Sequence, residues 1–174
     1  GTVATLRFRS MRRGQRRRIG RLTIEAFPLN HYSGSGKAKR RLDTVGFRLT
    51  AAGGPRIAYL SDHEPTRRTR STEDRMLEGA HLAIYDAHFA DIRDQTYGHG
   101  SQEAAADVAR RHPATAVLAA HHGPMFSDAQ LRAARRRHGR GVPNFDLAVE
   151  GARYRWNRGK GRLDLVHVKP VERT

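Results

Sequence analysis

Short apolar runs alternate with polar, glycine-rich breaks along most of the chain. Thr5–Phe8 and Leu22–Leu29 read as strands, with the basic segment RRGQRRRIG as the turn between them. His31–Arg41 reads as a polar loop. Val45–Thr50 and Ile57–Leu60 are two short strands joined by AAGGPR, a hairpin pattern. Ser71–Gly79 fits a short helix capped by Ser71 or Thr72, and His81–Tyr85 a buried strand. Ser101 opens a helix, SQEAAADVARRH, that Pro113 ends, and Ala116–Ala120 is the next buried strand. A further helix begins at Ser127 and runs into RRRHGRG. Phe145–Val149, Ala152–Trp156 and Leu163–Val168 are terminal strands. The pattern is α/β, with neither an internal repeat nor a linker, so residues 1–174 are expected to form a single domain.

Composition narrows the chemistry. No apolar run approaches the ~18 residues of a membrane span, and the first residues lack the apolar stretch of a signal peptide. A cytoplasmic protein without membrane partners is therefore expected. With no cysteine, thiolate nucleophiles and thiolate metal sites are excluded, so any metal must be held by nitrogen and oxygen. Lys and Arg number 33 against 17 Asp and Glu, a net charge of +16, which makes nucleic acid the first partner to consider. Only four of the basic residues are lysines, and the arginines spread along the whole chain with clusters at 12–18, 67–70 and 135–140. Codon bias alone would produce that skew, so a solvated surface competes with a nucleic-acid face.

Histidines and aspartates gather where apolar runs end. FPLNH ends at His31; IAYLSDHEP carries Asp62, His63 and Glu64; LAIYDAHF carries Asp86 and His88; YGHGS follows with His99; and VLAAHHGP carries His121 and His122. A polar residue just past a buried strand lies at the sheet rim, where several strands can converge on one site. Imidazole and carboxylate suit zinc, manganese or iron alike. His112, His138 and His167 have no such setting.

The series PLNH, GFRLTAAGGPRIAYLSDHEP, AHLAIYDAHFAD, YGHGSQEAAADVA, VLAAHHGPMFSD and FDLAVEG resembles the later part of a metallo-β-lactamase-fold hydrolase, from about Leu6 to Tyr154. The branch it most resembles includes cyclic-nucleotide phosphodiesterases and the tRNA 3′-processing endonuclease. The resemblance implies an αββα sandwich and a site for two divalent ions, zinc first and manganese or iron as alternatives. It also implies hydrolysis of a phosphodiester or nucleotide-type substrate by hydroxide that metal binding makes available near neutral pH. It places His31, Asp62 and His121 as metal ligands, with Asp62 bridging. His99 becomes the proton donor to the leaving group, oriented by Asp86, while His63, His88 and His122 stand nearby.

Three departures qualify the likeness. The family's H-x-H-x-D-H signature occurs nowhere in the 174 residues, GHGS stands for GHST, and Phe47 replaces a tyrosine. The chain is accordingly expected to be the C-terminal portion of the fold, incomplete on its N-terminal side. It should bind metal weakly and turn over poorly alone, and should associate as a homodimer or with the missing segment. The alternative reading is a basic RNA- or DNA-binding module of vestigial hydrolase ancestry.

Overall fold

Three apolar runs in the middle of the chain are each followed by enough sequence to cross over and return parallel, and that is how they pair. The computed structural model describes residues 8–34, 36–95 and 97–168. Its main sheet has seven strands in the order β1-β2-β5-β6-β7-β8-β9. These are β1 (Arg16–Ile19), β2 (Leu22–Pro28), β5 (Val45–Ala51), β6 (Arg56–Leu60), β7 (Leu82–Asp86), β8 (Ala116–Ala120) and β9 (Phe145–Leu147). The first four are antiparallel neighbours; β6 through β9 pair in parallel. Helices α1 (Arg70–Leu77), α2 (Gln102–Arg111) and α3 (Asp128–His138) make the crossovers. Two small hairpins stand apart from this sheet: β3 (His31–Ser33) with β4 (Arg40–Leu42), and β10 (Ala152–Asn157) with β11 (Arg162–Val168).

The core lies between one sheet face and the helices. Register aligns Ala58 with Ala83, Val117 and Phe145, and Leu60 with Tyr85 and Ala119, all buried with Met76 and Leu77 of α1 and Ala105 and Val108 of α2. Small side chains at half of these positions let the helices sit close to the strands. The opposite face is also apolar. Phe47, Tyr59, Ile84 and Leu118 form one cross-strand row, and Leu49, Ile57 and Leu82 the next. Tyr59 remains 43% exposed there, so this face has the character expected of a sheet that packs against a second layer.

Several expected elements shift. Arg16–Ile19, read as a turn, is an edge strand: Ile19 pairs with Leu22 across a two-residue turn whose first position, Gly20, has φ +57°. An outer strand tolerates a run of arginines because one side of its ladder and much of its surface face water. Of the expected strand Thr5–Phe8, residues 5–7 lie outside the described residues, and Phe8 is not in a strand. The expected polar loop His31–Arg41 instead holds β3 and the start of β4, which runs on to Leu42. The strand expected over Phe145–Val149 closes at Leu147, and the last two strands form their own hairpin. Ser101 and Ser127 cap α2 and α3 as expected, the latter in a full capping box with Gln130.

Helix α1 starts at Arg70, before either expected cap. Its N-cap, Thr69, turns its hydroxyl to Glu73 Oε1 at 2.8 Å and caps none of the N–H groups of the helix's own first turn. Glu73 is 3% exposed and also accepts from His63 Nε2 at 3.1 Å, Arg111 at 3.2 Å and the Tyr85 hydroxyl at 3.4 Å. Burial raises its pKa, but the hydrogen bonds from His63 and Thr69 and the charge of Arg111 outweigh this and leave it below 4.5. A carboxylate whose folded pKa is depressed contributes stability above its unfolded pKa, and that contribution is lost as pH falls through the folded value. The stability difference between wild type and Glu73→Gln is therefore expected to shrink as pH drops below about 4.5, read from urea unfolding midpoints across that range. A constant difference would rule out this role for Glu73.

Candidate metal centre

The carboxyl ends of parallel strands open on one edge of the sheet, the edge at which α/β folds gather ligands. Asp62 follows β6, Asp86 is the last residue of β7, and His121 follows β8. His31 begins β3 just past the end of β2, which runs in the same direction as β6. His99 sits in the loop before α2, held there by backbone bonds from Phe89 to Gly100 (3.1 Å) and from Gln102 to Phe89 (2.9 Å). Five residues spread over 91 positions thus meet at one rim.

Each imidazole has a defined orientation. His31 donates from Nδ1 to the Gly98 carbonyl at 3.0 Å, which turns Nε2 toward Asp62 Oδ2 at 3.7 Å. The other Asp62 oxygen lies 3.4 Å from His121 Nδ1. The Asp62 side chain is 45% exposed and accepts no hydrogen bond among the described residues, so its carboxylate stands between two imidazoles with only these longer contacts to them. His121 has φ +59°, a left-handed conformation that a non-glycine residue adopts at a cost of about 1–2 kcal/mol and that marks functional turns.

Asp86 is held differently. Its side chain is fully buried; Oδ2 accepts the backbone N–H of His63 at 2.7 Å and His99 Nδ1 at 2.8 Å, and Oδ1 accepts the backbone N–H of His88 at 3.2 Å. Oδ1 also lies 3.5 Å from His121 Nδ1. The hydrogen bond to Asp86 raises the His99 pKa against the opposing effect of burial, and the charges of Asp86, Asp62 and Glu64 add to it. The His99 ring packs 4.8 Å from His31 and 4.9 Å from His121, centroid to centroid.

The three neighbouring histidines separate. His88 joins the cluster: its ring stacks on His99 at 4.8 Å, and ring nitrogens of His88, His99 and His121 all lie within 4.8 Å of one another. Burial, followed by the nearby charges of His99 and His121, lowers its pKa, so it favours the neutral, metal-compatible form. His63 contributes only its backbone, because its ring is 1% exposed and tied to the Asn30 N–H and Glu73 inside the core. His122 turns Nδ1 to the Ala87 carbonyl at 3.3 Å. His112 and His138 bind Asp74 and Asp91; the His167 side chain lies outside what is described. Gly98, whose carbonyl orients His31, is a working part of the site that sequence reading passed over, although YGHGS contains it.

The donor set fits a divalent ion. His31 shows the arrangement usual in metal sites, one ring nitrogen fixed by a carbonyl and the other free to coordinate, and Asp62 supplies an uncommitted carboxylate within reach of a second imidazole. Nitrogen and oxygen ligands of this kind accept zinc, manganese or iron.

Residues 2–122, which include all five positions, match the protein family described as the beta-lactamase superfamily domain. No curated protein matches the chain. Among solved structures, the chain is similar to the metallo-beta-lactamase fold protein YhfI from Bacillus subtilis (TM-score 0.59, 19% identity, 80% of this chain and 52% of that one). It is also similar to unliganded yeast PDE1 (0.57, 11%, 80% and 48%) and to Zn2+-bound PqqB from Methylobacterium extorquens (0.55, 15%, 80% and 52%). The chain spans about half the length of these structures. No helix among the described residues is long and apolar enough to cross a membrane. With the family matched over most of its length and the fold shared with these proteins, the chain belongs to the beta-lactamase superfamily and has the metallo-β-lactamase fold.

Proposed function

We propose that this chain contributes part of a divalent-metal site that hydrolyses phosphodiesters. The observation that carries the reading is the convergence of His31, Asp62 and His121 beside His99 and the buried Asp86 that holds it. His31 Nε2, the Asp62 carboxylate and the His121 ring would hold metal, zinc in the first instance. A bound ion supplies Lewis-acid charge for the phosphoryl oxygens and brings the acidity of water near neutral. The protein's own part is proton management. Asp86 fixes Nδ1 of His99 and favours its charged form, so that Nε2 can donate a proton to the departing oxygen. Without that proton the leaving group would depart as a high-energy alkoxide. His88, neutral and stacked on His99, holds the donor ring in place.

Two four-coordinate ions need more donors than three residues provide. The remaining ligands would come from a segment bearing H-x-H-x-D-H, which these 174 residues lack. Titration of the chain with Zn2+ or Mn2+ is expected to show weak binding that His31→Ala, Asp62→Ala and His121→Ala each reduce about tenfold or more, the scale on which site geometry governs affinity. Hydrolysis of bis(p-nitrophenyl) phosphate should be slight for the chain alone and rise when an H-x-H-x-D-H segment is supplied in trans. Metal binding indifferent to all three substitutions would overturn the site, and vigorous turnover by the chain alone would overturn its incompleteness.

A further inference from the structure

A second surface, remote from the histidines, is built from the arginine run near the start of the chain. Arg16, Arg17 and Arg18 of β1 and Arg21 of the following turn line a groove of about 510 Å³, with Thr23 and Thr50 beside them and no carboxylate in the lining. Strand register places Arg18 opposite Thr23 and Thr23 opposite Thr50, so a guanidinium and two hydroxyls lie in one row. Arg18 donates Nε to the Gly20 carbonyl at 2.9 Å and Arg21 donates to the Ala52 carbonyl at 3.1 Å. These bonds steady the side chains without neutralising them. Glu25, opposite Arg16, is committed to Arg48 at 2.9 Å. None of the four arginines has an acidic partner within 4 Å among the described residues.

The other basic clusters differ. On α3, Arg135 pairs with Asp146 at 3.1 Å, and Arg137 grips both oxygens of Asp91 at 2.7 Å, so that run serves the packing of the helix. Beside the 67–70 cluster, the adjoining cavity is lined by Glu73 and Asp107 as well as arginines. Arg67, Arg68 and Arg70 also have no ion pair within 4 Å among the described residues, but of these two arginine-lined cavities only the edge-hairpin groove has a lining without a carboxylate.

From this we infer that the β1–β2 groove binds the phosphate backbone of a nucleic acid. Guanidinium forks match phosphate oxygens in pairs, and threonine hydroxyls are common phosphate donors. No aromatic ring lines the groove for base stacking, so recognition is independent of base sequence. Thr23 and Thr50 lie at the end of the β2–β5 pair away from Pro28 and Val45, about 20 Å along the strands from the end that leads to His31. The groove and the metal-ligand cluster are therefore separate, and the inference stands whether or not the hydrolase reading does.

Fluorescence anisotropy with a 20-nucleotide oligo-uridine RNA and an oligo-thymidine DNA of equal length tests it. Four phosphate contacts predict a slope of log K against log salt near −2.8 for single strands, about a 50-fold loss of affinity between 50 and 200 mM. Arg16→Gln with Arg18→Gln should reduce the slope by about 1.4, whereas Arg135→Gln with Arg137→Gln, an equal loss of charge, should leave it within about 0.3. An Arg16→Lys, Arg18→Lys variant that keeps the slope, together with unchanged thermal midpoints, separates lost contacts from lost folding. Binding of either oligonucleotide with this dependence supports the proposal. Equal losses from both glutamine pairs, or arginine-dependent binding to phosphatidylserine vesicles but to neither oligonucleotide, would overturn it.

Discussion

Asp86→Ala is expected to destabilise the protein by about 3–5 kcal/mol, a large share of the stability of a domain this size. The carboxylate is fully buried and takes hydrogen bonds from the His63 and His88 backbones and from His99. Alanine would leave these donors without acceptors in the interior, each at about 1–3 kcal/mol where water cannot reach. The His99 pKa should fall as its principal stabiliser disappears. Asp86→Asn keeps an oxygen for two of the bonds and should cost roughly half as much. Asp62→Ala makes the informative contrast. Asp62 faces His31 and His121 but is half-exposed and accepts no hydrogen bond among the described residues, so its loss should change stability by less than about 1 kcal/mol while weakening metal binding about tenfold or more. Urea unfolding of the three variants checks this; an Asp86→Ala loss no larger than that of Asp62→Ala would show that Asp86 does not hold the rim together.

The pattern of apolar runs alone does not tell these two aspartates apart; the family resemblance gave them different roles, and the folded structure shows how differently they are buried and bonded. Both follow an apolar run, and both were legible as rim residues because IAYLSD and LAIYD end where a buried strand must end. Parallel pairing of β6, β7 and β8 then brings His121 to the same edge, which follows from the order of strands and crossovers. The caps of α2 and α3 were equally legible, because Ser101 and Ser127 act within three residues of themselves. What escaped reading depends on distant partners. The start of α1 is displaced because Thr69 serves Glu73, and Glu73 in turn answers to His63 ten residues back and Arg111 thirty-eight residues on. His63 stands next to Asp62 yet turns into the core, a choice made by Glu73 and Asn30. Arg16–Ile19 became a strand because Leu22–Glu25 offers it an open edge, which composition alone does not reveal.

Gly98 is the furthest instance of this dependence, and its replacement is the second large effect. Its φ of +82° is one that alanine adopts at a cost of about 1–2 kcal/mol. A β-carbon there would also collide with the Tyr32 backbone nitrogen and lie 2.9 Å from His31 Nδ1. The backbone of β3 cannot yield as a flexible side chain would, so relief requires moving His31 away from the Gly98 carbonyl that fixes its tautomer. Gly98→Ala is therefore expected to destabilise by about 2–4 kcal/mol, and to weaken zinc binding by about 10–100-fold through loss of an orienting contact. Gly53→Ala is the matched control: its φ is +68°, but no atom lies within 4 Å of the added carbon. That variant should show the conformational cost alone, about 1–2 kcal/mol, with metal affinity intact. If the two substitutions proved equal in both unfolding and zinc titration, the tight approach of residues 97–99 to β3 would be dispensable. His31 would then need no fixed tautomer to bind, whereas a ring free to flip would present Nε2 to Asp62 only part of the time and bind correspondingly less metal.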